Sequence, residues 1–109
     1  MQNKNYTFIV LTNAKPGQES EYNHWYNEVH LADVLKVPGF SSAKRFKASK
    51  GQPTGNTPRW EYAAIYEIDT DDLSATLDNM YGRVGTPDMD ISEALDFDNL
   101  YAVVYESVP

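Results

Sequence analysis

Apolar and polar positions alternate along four stretches of the chain and recur at three- and four-residue steps along two others. Tyr6 to Thr12 is rich in β-branched and aromatic residues and nearly all apolar, which predicts a strand covered on both faces. Asn13-Ala14-Lys15-Pro16-Gly17 breaks it. From about Gln18 to Lys36, Tyr22, Tyr26, Val29 and Asp33 repeat at helical spacing with Trp25 beside them, so a helix is expected there. Glu19 and Glu21 suit its positive first turn, and Pro38-Gly39 lies beyond its end. Phe40 to Lys47 predicts a second strand. Its Lys44, Arg45 and Lys47 suit a sheet edge, where charge discourages further pairing. Ala48 to Arg59 is a polar loop. Trp60 to Ile68 predicts a third strand, with Trp60, Tyr62, Ala64, Tyr66 and Ile68 on one face. Asp69 or Thr70 is the expected cap of a second helix, whose apolar stripe is Leu73, Leu77, Met80, Tyr81 and Val84. Thr86 to Asp90 reads as an acidic loop, Ile91 to Leu95 as one helical turn, and Asn99 to Glu106 as the last strand.

The resulting order, β-α-β-β-α-β, is the ferredoxin-like α+β plan. Right-handed crossovers put the first and third strands at the centre of a four-stranded antiparallel sheet, with both helices on one face. The first, third and last strands nevertheless carry large apolar side chains on both faces. Left bare, that second face exceeds the few hundred Å² that monomers usually expose. A sheet-to-sheet homodimer is therefore expected. The competing expectation is that the 48–59 loop folds over the sheet, although it has no large apolar residue to bury there.

Composition narrows the functional classes. The chain has 109 residues, enough for a single domain over 1–109. Its formal net charge of −7, with no basic stripe on any element, argues against nucleic acid and anionic membranes. It has no cysteine, which excludes disulfides, thiolate zinc sites and a Cys nucleophile. The longest apolar run, Phe8 to Leu11, is too short to cross a bilayer, and nothing near Met1 resembles a secretion signal. A cytoplasmic location is the expectation. No Gly-rich phosphate loop or nucleophile elbow is present. His24 and His30 are six residues apart and fall on different sides of a helix, so no metal pair is expected. Asp69-x-Asp71-Asp72 lacks the glycine and glutamate of a calcium loop.

The candidate chemistry lies on the first helix. His30 is the candidate acid or base, since imidazole titrates near neutrality. Asp33, three residues on, could hold the ring, and Tyr26, four residues before, could present its hydroxyl to the same space. Tyr22, Trp25, Phe40, Trp60, Tyr62, Tyr66 and Tyr81 are the candidate walls of a hydrophobic pocket. Each has an ordinary alternative. His30 could end an amphipathic helix and bond to a carbonyl or water, and the aromatics could be core and dimer packing. Arg45 could bind a carboxylate, but an edge-strand arginine is usually solvated.

The residues Trp25-Tyr26-x-x-x-His30, followed by Val37-Pro38-Gly39-Phe40, resemble the EthD-like branch of the dimeric α+β barrel superfamily. The element order matches across nearly the whole chain, while the helical motif covers about a sixth of it. Related sequences often place proline two residues after the histidine. Here that position is Ala32, so the helix is expected to run past His30 without a kink. The resemblance implies a homodimer with a pocket in each subunit between sheet and helices. It implies cofactor-free chemistry on a small aromatic or polyketide-like molecule, of cyclase, decarboxylase or monooxygenase type. Haem-degrading enzymes share the superfamily, so a haem ligated by His30 stays open. The alternative is a non-catalytic ligand-binding or accessory protein of the same fold.

Overall fold

The computed structural model describes residues 3–109. The strands are β1 (Lys4–Thr12), β2 (Phe40–Lys47), β3 (Tyr62–Thr70) and β4 (Tyr101–Glu106). They form one antiparallel sheet in the order β2-β3-β1-β4. The two most apolar strands are central and the charged β2 is an edge, as the residue pattern requires. β3 starts at Tyr62 rather than Trp60, so Trp60 stands outside the strand that its alternation suggested.

The first helical region begins as α1 (Glu19–Trp25), passes through a π-helical turn (Tyr26–His30) and ends as α2 (Leu31–Leu35). The chain does run past His30 without a break. The irregularity is the π-helical turn that ends at His30, where the Leu31 N–H reaches back five residues to the Tyr26 carbonyl. Gly39 then turns the chain into β2 at φ +101. A Cβ there would stand 3.2 Å from Thr76 Cγ2, and the Gly39 carbonyl accepts from the Asp69 N–H at 2.7 Å. The second helix, α3 (Leu73–Arg83), is capped by Asp72, whose carboxylate accepts from the Ala75 N–H at 3.1 Å. Thr70 instead bonds the Asp72 N–H, and Asp69 pairs in the sheet.

The core fills the space between helices and sheet. Phe8, Ala64, Tyr66 and Ile68 from the sheet meet Tyr22, Trp25, Tyr26, Val34 and Met80 from the helices. The segment after α3 closes one end. Ile91–Leu95 forms no helical turn; Leu95 bridges to Ala14, and the Lys15 N–H donates to the Ala94 carbonyl at 2.8 Å. Met89 and Ala94 in this segment are fully buried, which the scattered apolar residues of 86–95 did not foretell.

The register puts Thr7, Ile9 and Leu11 beside Ala63, Ile65 and Val103 on the opposite face. The body is only 21 Å along its shortest axis, the thickness of one helix layer on one sheet. Phe46, Tyr101 and Tyr105 on that face are 44%, 50% and 62% exposed. The long loop covers one corner alone, where Trp60 stacks on Tyr101 at 5.6 Å and donates from Nε1 to the Asn99 carbonyl. The rest of the face is uncovered.

Candidate functional site

Trp25 and His30 are five residues apart, which on a regular α-helix would set them about 140° apart around the axis. The π-helical turn changes that. Its wider i→i+5 repeat brings the fifth residue over the first. The two rings stack with centroids 4.6 Å apart and planes 28° apart. Tyr26 meets the same imidazole edge-on at 5.1 Å. His30 is thus seated between two aromatic rings, one of them anchored by the Trp25 Nε1 bond to the Asp90 carbonyl at 3.0 Å.

These three residues line a cavity of about 130 Å³ between the sheet and the helices. Val10 and Tyr66 line the sheet side, Met80 comes from α3, and Met89 and Leu95 come from the closing segment. No Asp, Glu, Lys or Arg is among the lining residues. A dry apolar cavity of about 150 Å³ holds one benzene ring, so the space suits a single six-membered ring.

Two polar atoms on the lining residues are buried without a hydrogen-bond partner, His30 Nδ1 and Tyr66 Oη. Burial lowers the His30 pKa from its usual 6.5 to about 4, so the imidazole is neutral at pH 7. Burial pushes the Tyr26 phenol up to about 12 and holds the Tyr66 phenol well above the ordinary value. The cavity therefore offers protonated phenols that can donate and a neutral imidazole that can accept.

The expected residues divide into those that reach the cavity and those that do not. Trp25, Tyr26, His30, Tyr66 and Tyr81 line it, Tyr81 while 56% exposed. Tyr22 is fully buried behind it and bonds Thr12 Oγ1. Phe40 packs edge-on against Phe8 and Tyr66 in the core. Tyr62 sits by Tyr22 and accepts from Asn23 Nδ2 at 3.2 Å. Trp60 lies on the uncovered side of the sheet with Tyr101, away from the cavity. Asp33 does not hold the imidazole; its carboxylate lies 3.9 Å from Lys36 Nζ, and no charge contributes to the His30 shift.

Arg45 also departs from expectation. It is not a solvated edge residue. β2 directs it to the helix side, opposite Ala64. Its guanidinium carbon lies 4.4 Å from the Tyr26 ring centroid and 5.2 Å from those of Tyr22 and Tyr62. Nη1 donates to Asn27 Oδ1 at 2.9 Å, while Nε and Nη2 are buried without an acceptor. Thr12, Met80, Met89 and Leu95 are cavity residues that were not singled out as pocket walls. Met80 had a signal, its place on the α3 stripe; Met89 and Leu95 lie in a segment without periodicity.

A family model described as a domain of unknown function, DUF4286, matches residues 5–82. No curated protein matches the chain in sequence. Several solved structures share its fold, among them the following three. A MhuD variant with two manganese protoporphyrin IX bound per active site superposes with a TM-score of 0.62 at 14% identity, over 95% of each chain. A dimeric ferredoxin-like protein of unknown function from Thermobifida fusca YX gives 0.59 at 16% identity, over 98% of this chain and 94% of that one. An ethyl tert-butyl ether d (EthD) family protein from Bacillus halodurans C-125 gives 0.52 at 15% identity, over 94% and 99%. The likeness agrees with the ferredoxin-like, EthD-like expectation. At about 130 Å³ the cavity has room for about one ring, less than the four pyrroles of a porphyrin.

Proposed function

The chain belongs to the DUF4286 family, a domain of unknown function, and from that premise we propose that it binds and transforms a small single-ring aromatic or enolisable molecule without a cofactor. The observation that carries this reading is the pair of orphaned polar atoms, His30 Nδ1 and Tyr66 Oη, on two of the residues that line an otherwise apolar, ring-sized cavity. A buried polar atom without a partner is costly, and a ligand oxygen or hydroxyl relieves that cost. In this reading Tyr26 and Tyr66 donate to a ligand carbonyl or phenolic oxygen. The neutral His30 takes a proton from the adjacent carbon or hydroxyl. The imidazolium so formed is buried, so the anion left on the ligand must stay beside it as its counter-charge. Cyclisation or reaction with oxygen can follow from the enolate or phenolate so formed, and loss of CO2 from a β-keto acid leads to the same enolate with its negative charge held by the same phenols. The uncovered sheet face supports the further proposal that the working form is a sheet-to-sheet homodimer with one pocket per subunit.

The test is a panel of one-ring phenols and aryl ketones, screened for binding by NMR line broadening and for turnover by mass spectrometry. His30→Ala is expected to keep the fold and lose turnover by about 10²-fold or more. A folded His30→Ala protein with full activity on an identified substrate overturns the role of His30. A second reading, a carrier without chemistry, is favoured by one observation: no carboxylate orients the imidazole. In that case the parent, like His30→Phe, binds ring-sized ligands and transforms none.

A further inference from the structure

Arg45 is a cation without a counter-ion. Among the described residues no carboxylate oxygen lies within 4.0 Å of it, in a chain with 16 acidic residues. It is held instead by the faces of Tyr22, Tyr26 and Tyr62, whose ring quadrupoles attract a cation without neutralising it. The nearest of these rings, Tyr26, is also a wall of the cavity. An unneutralised positive charge therefore sits behind the wall that carries the phenol. No charged side chain on the lining opposes its field. In a partly buried setting such a charge is screened less than at the open surface, so its field reaches a ligand across one ring.

We infer that the cavity selects its ligand in an anionic form, a single-ring phenolate or an enolate, and that Arg45 is the positioning residue whose charge, acting through Tyr26, makes this selection. The inference rests on the ring-sized pocket proposed above and names the ligand class for it. It also gives proton abstraction by His30 a reason to proceed in an apolar site, because the product anion is stabilised from the far side of Tyr26. The groups that face this arrangement come from three directions. His30 and Tyr26 belong to the π-helical turn, Tyr66 and Tyr62 to β3, and Tyr22 to α1. His30 is held down to about 4, and Tyr26 up to about 12 with Tyr66 also raised, so these walls stay uncharged across the neutral range.

The experiment uses 4-fluorophenol and fluorobenzene, both read by ¹⁹F NMR on the whole protein. Fluorobenzene reports whether a ring enters the cavity. The shift of bound 4-fluorophenol against pH reports its pKa in the site. The expected result is binding of both. Bound 4-fluorophenol should titrate below its value in free solution, and in Arg45→Met it should titrate at least about one unit higher than in the parent, a tenfold loss of anion preference. Arg45→Lys should restore most of the difference. Fluorobenzene affinity is the readout that a loss of packing would move and a loss of charge would not, and it should be equal in all three proteins. Should Arg45→Met fail to fold, Arg45→Gln, which keeps a planar polar end without the charge, takes its place, and a titration unchanged from the parent in the neutral variant overturns the role of Arg45. Fluorobenzene binding with 4-fluorophenol titrating at or above its free value overturns the anion inference and leaves the pocket standing. Failure of both rings to bind overturns the pocket reading and this inference with it.

Discussion

His30 shows how burial alone sets a side chain's chemistry. With no charge among the causes of its shift, desolvation holds the imidazole at about 4 against about 6.5 in an unfolded chain. Between those two values the unfolded chain binds a proton that the folded chain refuses. Stability is therefore expected to fall as the pH drops from about 6.5 to about 4, by up to about 3 kcal/mol from this group, and to be level above that window. Urea unfolding at a series of pH values should show the slope in the parent and a flatter one in His30→Phe. Parallel curves for the two proteins mean that the imidazole is not desolvated. That His30 would pack among the aromatics of the first helix was legible in the sequence, because it lies near Trp25 and Tyr26. The loss of Asp33 to Lys36 was not, since both lie within a helical turn of it and spacing alone does not rank them. Arg45 was misjudged for a related reason. Its strand is an edge, but strand alternation sends it inward, and tyrosines from two segments more than thirty residues apart in sequence converge on it.

Among the elements, the strands announced themselves by alternation and the helices by their stripes. The π-helical turn did not. Its residues fit an α-helical pattern as written, and only the Leu31 to Tyr26 bond reveals the extra residue in the turn. The closing segment 84–100 was hidden for the opposite reason, having no period at all while supplying Met89 and Leu95 to the cavity. The junction between α2 and β2 was the clearest of the connections, because Pro38-Gly39 permits little else. Gly39 makes a sharp prediction at this scale. At φ +101, and with Thr76 Cγ2 3.2 Å from any added Cβ, Gly39→Ala is expected to destabilise the protein by about 1–3 kcal/mol. The comparison with Gly55→Ala separates strain from crowding. Gly55 also has positive φ but has open space around it, so its variant should cost less in the same urea titration.

For the molecule as a whole, the decisive feature is the uncovered sheet. Two layers 21 Å thick leave Phe46, Tyr101 and Tyr105 in water around a centre of Ile9, Leu11, Ile65 and Val103. The excess of apolar residues on both strand faces was visible in the sequence. That Trp60 and its loop would cover only a corner was not, since Trp60 was expected in the strand itself. Sedimentation of the parent at micromolar concentration is expected at twice the 12.3 kDa chain mass. Val103→Lys, which places a charge on the exposed side of an edge strand, should sediment as a single chain with an unchanged far-ultraviolet spectrum. A parent that sediments as a single chain removes the dimer proposal, while the pocket lies on the other side of the sheet and is untouched by that outcome.

The indole of Trp25 lies almost flat against the imidazole. Imidazolium quenches indole emission far more strongly than neutral imidazole does. The protein thus carries an unlabelled optical gauge of the charge inside its own chamber. Trp60, on the far surface, supplies a steady glow against which that gauge dims or brightens.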